Sequence, residues 1–355
     1  MVIIAPDMDR LARDLRGLVA HAVEPDDLGA AIAETLRSCV AFDAVRLVAT
    51  DPAAELGLGS FSCWHRYDSG LLSALVLDQY LGGDPCRPED LNRLSVPVAV
   101  VGVDGQYEDR GRRTARLLSE HGASGELRAL LRDRRGVWGF LGLLRAEDAR
   151  PFDRADLNRV AELGPAFNAA IREFARSRPS PIAPGPSAPG IITVGSDHAV
   201  KGISDEAHYW LEQLWTPGRG DPVDWVVAPF APELYCRARE LMRQGVAPKP
   251  LICAAAAGSG RWIAIHGRAL AGDDGEVAIV IQAARGDLLL PSFCHWHELT
   301  ARQRAILEQL CTGDPPRTIA KTLAVSTHTV NAHLKALYHK TGADGRDELM
   351  AALAC

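Results

Sequence analysis

The side chains with the clearest chemistry lie near the end of the chain, where Ser326-Thr327-His328-Thr329-Val330-Asn331-Ala332-His333 leads on to Lys335 and Lys340. Hydroxyls, imidazoles, a carboxamide and ammonium groups recur there at helical spacing, a set suited to hydrogen bonds with phosphates and base edges. From Pro315 to Thr341 the cations are Arg317, Lys321, Lys335 and Lys340, and no Asp or Glu occurs. In a chain of formal net charge -6, an acid-free stretch of this kind is where a polyanion would dock.

Other groupings of reactive residues lead less far. Cys294-His295-Trp296-His297 sets a thiol and two imidazoles side by side, but no second cluster stands at zinc spacing. The expectation there is a linker with aromatic packing and no metal. Cys63-Trp64-His65 and His266 could line sensor pockets, although a lone His on a strand is more often a satisfied or exposed residue. No Gly-x-x-x-x-Gly-Lys-Ser/Thr loop or Gly-x-Ser-x-Gly elbow occurs, and no nucleophile, base and orienting acid cluster together. No catalytic residue and no cofactor are therefore assigned, and the chain is not read as an enzyme. The eight cysteines are scattered without a Cys-x-x-Cys, as expected of reduced thiols.

The polar residues need helices to carry them. Leu299, Ile306, Leu307 and Leu310 fall on one face of a first helix, and Pro315-Pro316 stops it and starts the next. Ile319 and Leu323 are the buried positions of the second helix, with Ala320 small where two helices must approach. Ala324-Val325 forms the turn and Ser326 caps a third helix, whose inner face is Val330, Leu334 and Leu337. The opposite face presents Thr327, His328, Asn331, Lys335 and His339.

With those positions fixed, residues 297–355 resemble the LuxR/GerE-type helix-turn-helix. The shared pattern is Leu-Thr-x-Arg-x-Arg from Leu299, Ile-Ala-x-x-Leu from Ile319, Ser-x-x-Thr-Val-x-x-His-Leu-x-x-x-Tyr-x-Lys-x-Gly from Ser326, and Arg346. The resemblance implies that Asn331, Ala332 and Lys335 face bases in the major groove. It makes Thr327, Thr329, His333 and Lys340 available to the phosphate backbone, with His328 on the same exposed face, and gives the last helix (from Asp347) a dimer contact. Two positions depart from the pattern: Gln303 stands where Glu is usual, weakening a structural ion pair, and Asn331 where Lys is frequent, favouring adenine edges.

At 355 residues, 47% hydrophobic and 24% charged, the chain is globular and long enough for two or three domains. Its pI near 6.0 confines any DNA contact to one face. No apolar run reaches the roughly 18–20 residues of a membrane span, and the N-terminus lacks the pattern of a signal peptide, so a cytoplasmic location is expected. From Arg176 to Gly190 five prolines stand in 15 residues, which is linker composition. Before the linker, strands are predicted at 44–49, 96–101 and 137–144, the last apolar on both faces and hence central. The long helix that follows carries Val160, Leu163, Phe167, Ile171 and Phe174, a core stripe or else a dimer surface. This segment resembles the end of a GAF domain. After the linker, a strand, helices and the hairpin of Arg261–Leu270 with Val277–Gln282 look like a PAS domain. No internal repeat is visible.

The expectation is a multidomain α+β chain: a GAF-like α/β sandwich for sensing or dimerisation at 1–176, the Pro-rich linker at 177–189, a PAS-like α+β domain at 190–288, and an all-α four-helix helix-turn-helix domain at 289–355. The expected function is a one-component transcriptional regulator binding double-stranded operator DNA as a homodimer. A response regulator needs an acidic pair and a Lys after particular strands, and the N-terminal segment shows neither. Two alternatives remain beside it: a ligand-binding or protein-docking module with a secondary DNA-binding tail, and a metabolite-acting enzyme. Whether the sensor domains take a small-molecule ligand, and which one, stays open.

Overall fold

A computed structural model describes residues 7–20, 22, 25–49, 61–66, 69–80, 83–102, 109–177, 188–214, 228–246, 251–254, 262–271 and 275–353. The N-terminal part comprises α1 (Met8–Val19), α2 (Pro25–Arg37), β1 (Ala44–Ala49), β2 (Phe61–His65), α3 (Ser69–Tyr80), α4 (Pro88–Arg93), β3 (Val98–Gly102), α5 (Asp109–Glu120), β4 (Ala123–Asp133), β5 (Gly136–Ala146) and α6 (Arg154–Ser177). Its sheet is antiparallel in the order β2-β1-β5-β4-β3. The strand expected to be central on account of its two apolar faces, β5, stands in the middle.

Strand alternation divides this domain into two cores. Val45, Leu47, Leu127, Ala129, Leu141 and Leu143 face α1, α2 and α6. Ala44 and Leu144 face the other way, against Leu71, Leu72 and Leu75 of α3 and Leu118 of α5. Val160, Leu163, Phe167, Ile171 and Phe174 are all buried in the first core, which rules them out as an exposed dimer surface.

The second core face also holds charge. Arg46 donates to Glu126 (2.9 Å), Arg128 donates to the other oxygen of Glu126 (2.7 Å) and to Asp84 (2.6 Å), and all four side chains are buried. β4 escaped the sequence reading because Glu126 and Arg128 break its apolar pattern; inside the fold each buried charge is paired, as burial requires.

The central part comprises β6 (Gly190–Val194), β7 (Val200–Ile203), α7 (Asp205–Leu214), α8 (Ala228–Arg243), β8 (Leu251–Ala254), β9 (Trp262–Ala269) and β10 (Val277–Ala283). Its antiparallel sheet has the order β7-β6-β10-β9-β8, the same relative order as the first. The two domains thus repeat one architecture with no repeat in sequence. The expected hairpin is present as β9 paired with β10; its Gly272-Asp273-Asp274 tip lies outside the described residues, as do residues 178–187 of the linker. Ile192, Val194, Ile263, Ile265, Val277, Ile279 and Ile281 pack under α7 and α8. Ile252, Trp262 and Ala264 point the other way and join the large core.

The last part comprises α9 (Leu290–Trp296), α10 (Ala301–Cys311), α11 (Pro316–Thr322), α12 (Thr327–Thr341) and α13 (Arg346–Leu353). Residues 294–297, expected as a linker with aromatic packing, instead form the end of α9 and its C-cap, and the aromatic packing is present. Five residues of α9, Leu290, Ser292, Phe293, Cys294 and Trp296, are buried, because the segment is apolar enough to fill the space between the domains. Trp296 stacks on Trp262 with ring centroids 4.1 Å apart, and Phe293 lies against His297.

Candidate nucleic-acid interface

The helical domain is built from short helices whose ends are fixed locally. Thr300 and Gln303 form a reciprocal capping box at the start of α10, with Gln303 N donating to Thr300 Oγ1 (3.2 Å) and Thr300 N to Gln303 Oε1 (3.0 Å). Arg302 donates to the carbonyl of Leu323 (3.0 Å), tying α10 to the end of α11. Ala324 takes a left-handed conformation (φ 51°) in the turn, which aims α12 across α11. Ser326 caps α12 by accepting from Thr329 N (3.0 Å), and Gly342 ends it at φ 74°.

Burial sorts the residues of α12 as their spacing implied. Val330, Leu334 and Leu337 are buried against Ile306, Leu307, Leu310, Ile319 and Ala320. His328, Asn331, Ala332, Lys335 and His339 are exposed, while Thr327, Thr329 and His333 are half-buried. Arg317 and Lys321 of α11 are exposed as well. The structure thus brings His328, Asn331, Ala332 and Lys335 onto one open helix face, flanked by Thr327 and His333, with hydroxyl and imidazole groups at its start and an ammonium one turn on.

Lys340 sits apart from that face. Its ammonium donates to the Glu298 carbonyl (2.7 Å) and to Gln303 Oε1 (2.9 Å), using two of its three N–H groups inside the domain. Gln303 therefore has its own structural duty at a position where Glu is usual: it caps α10 and receives Lys340. His297 Nδ1 lies 3.2 Å from the Lys340 carbonyl, and burial pushes its pKa down to about 4, so the ring is neutral near pH 7.

The junction with the rest of the molecule involves residues that sequence reasoning missed. Glu298 is approached by Arg135 from the β4–β5 turn and by Arg172 and Arg176 from α6. No local pattern marks these partners, which stand more than a hundred residues away in sequence; the only signal was the pairing of Arg172 and Arg176 one turn apart on a helix. Among the other candidates, His65 is exposed on β2, and His266 is half-buried on β9 with its pKa lowered by burial and by Arg268. No group of three His, Cys, Asp or Glu side chains arranged to hold a metal occurs among the described residues. Among those residues no helix is long and apolar enough to cross a membrane.

Residues 297–353 match the family of bacterial regulatory proteins of the luxR type (GerE). The class this defines is a DNA-binding transcriptional regulator, with a LuxR-family helix-turn-helix at the C-terminal end of two mixed helix-and-sheet domains. No curated protein matches the chain. Among solved structures, SdiA of Escherichia coli is 14% identical, covering 98% of both chains at a TM-score of 0.36. The N-acylhomoserine lactone dependent LuxR family transcription factor CepR2 of Burkholderia cenocepacia is 15% identical, covering 48% of this chain and 93% of its own at 0.33. The chromophore-binding domain of Stigmatella aurantiaca bacteriophytochrome is 13% identical, covering 48% and 61% at 0.30. Likenesses this weak say nothing of what this chain binds.

Proposed function

We propose that the chain is a one-component, cytoplasmic regulator that reads operator DNA through α12 and is controlled by its two sheet domains. The observation that carries this reading is the open face of α12: Asn331, Ala332 and Lys335 stand exposed on a helix whose other side is fully packed. In this reading Asn331, Ala332 and Lys335 meet base edges, while Thr327, Thr329 and His333 meet phosphates together with Arg317 and Lys321. His328, at the exposed start of the helix, adds a further donor. Lys340 contributes to phosphate binding only through its remaining N–H.

The two sheet domains are assigned as GAF-like (1–176) and PAS-like (190–288) sensors, a reading supported by their shared strand order and by helices on the sheet faces. A homodimer would pair two copies of α12 on half-sites about one helical turn apart. The last helix supplies a dimer contact, with Met350, Ala351 and Ala352 half-exposed beside buried Leu349 and Leu353.

The test is site selection from a random DNA pool with the full-length protein and the Asn331→Ala variant. Loss of a bidentate contact to adenine is expected to cost about 1–3 kcal/mol at one base position and to relax preference there only. An unchanged selection profile would remove Asn331 from the reading face.

A further inference from the structure

Glu298 lies between the sensor domains and the DNA-binding helices, and its two polar groups point to different sides. Its carboxylate meets Arg176 (2.9 Å) and Arg172 (3.4 Å) of α6 and Arg135 of the β4–β5 turn. Its carbonyl accepts from Lys340 at the end of α12 (2.7 Å). The backbone there is left-handed, φ 54°, a conformation a non-glycine residue adopts only when its surroundings impose it.

The neighbouring residues reinforce the same joint. Arg176 also donates to the Trp296 carbonyl, Trp296 stacks on Trp262 of the central sheet, and Arg172 lies over the ring of Trp138 at 5.3 Å. Around Glu298 three guanidinium groups are balanced by one carboxylate and by Asp133, which is 3.5 Å from Arg172. All three arginines belong to the sensor body, so loss of Glu298 removes the attraction that holds the helical domain to them. Meanwhile the exposed residues of α12 keep their access to solvent. The joint therefore holds the helical domain without covering its reading face.

We propose that Glu298 is the clamp by which the sensor body fixes the orientation of the DNA-binding domain. Arg135, Arg172 and Arg176 hold its carboxylate, and Lys340 passes the constraint to α12. A signal that moves α6 or the β4–β5 turn opens the clamp and lets the domain reorient. The inference rests on the regulator reading above, so its first readout is independent of DNA.

The experiment compares full-length wild type, Glu298→Gln and the double variant Arg135→Gln/Arg172→Gln by hydrogen exchange. Opening the clamp is expected to raise exchange at residues 289–300 by about tenfold or more, with the amides of β5 and of mid-α12 unaffected. The side chains are 20–37% exposed, so raising salt from about 0.05 to about 0.5 M should loosen the wild-type joint. Glu298→Gln should show no such salt response, a distinction that loss of apolar packing would not produce. If the Gln variant folds poorly, as shown by faster exchange in β5, the arginine double variant alone decides the matter. The selected DNA site is then titrated at fixed salt, with an expected change in Kd of about threefold or more in both variants.

Unchanged exchange at 289–300 in both variants would overturn the clamp. Faster exchange with an unaltered Kd would overturn its role in control. If the wild type selects no DNA site, it is the regulator reading that fails, and the exchange comparison still decides the clamp.

Discussion

Of the single residues, His297 gives the sharpest forecast. Its ring is buried beside the Lys340 carbonyl, and burial is the main cause of a pKa near 4, well below the ordinary value of 6.5. A base with a folded pKa below its unfolded one binds fewer protons when folded. Stability is therefore unaffected by this group above pH 6.5 and falls as pH drops from 6.5 toward 4, by up to roughly 1.4 kcal/mol per unit. A His297→Gln variant, compared with wild type by denaturant unfolding at several pH values, should lose that part of the acid sensitivity. Parallel pH profiles for the two proteins would show that His297 is not its source. Glu298, lowered by Arg176 and Arg135 against the opposing effect of burial, has a pH dependence of the same sign, so the histidine variant should keep a residual slope.

The elements depend on close approaches that leave no room for side chains. At the start of β6, a Cβ on Gly190 would stand 2.4 Å from Ala207 Cα and 2.6 Å from Ala207 N, both backbone atoms of α7. Neither can swing aside as a flexible side chain could, so Gly190→Ala must push α7 off the central sheet. The expected cost is about 1–3 kcal/mol of stability, measurable as a lower urea midpoint with little change in m-value. A midpoint equal to wild type would mean that α7 is not packed as described. Gly267 on β9 makes a similar approach, its would-be Cβ 2.8 Å from the Leu234 carbonyl of α8. The glycines of these strands thus mark where helices come down onto the sheet.

For the whole molecule, assembly is the question with the clearest measurement. Burial of Val160, Leu163, Phe167, Ile171 and Phe174 removes that stripe from the candidate dimer surfaces and leaves the last helix. With paired half-sites the protein is expected to sediment as two chains per DNA, and Met350→Glu at a half-exposed position of α13 should reduce this to one, lowering affinity for the paired site at least tenfold. Two chains per DNA in that variant would move the contact elsewhere. A single buried cluster extends from α1 and α6 through α9 to α13, so the helical domain is docked as part of the body. The proline-rich linker separates the two sheet domains in sequence, yet α3 and α8 meet in space, where Tyr80 donates to buried Glu233 (3.2 Å).

What the residues determined by themselves was local. A Ser cap, a Pro pair, a heptad-like apolar face and an acid-free polar face are all set within about thirty positions, and α10 to α12 form where those signals stand. β5 was legible for a similar reason, since a strand apolar on both faces can only be central. The strands that escaped reading were those whose character comes from distant partners. β4 holds Glu126 and Arg128, which read as solvent-facing until Arg46 and Asp84 neutralise them across the fold. β7 is a short edge strand with an exposed pattern. The segment at 290–296 lacks any helix signal strong enough to stand alone and becomes α9 because Trp262 and the α6 side of the core are there to cover it. Glu298 is the extreme case: nothing near it in sequence distinguishes it from a surface carboxylate. Only the tertiary structure sets three arginines around it, because charge pairing acts through space and leaves no periodic trace along the chain.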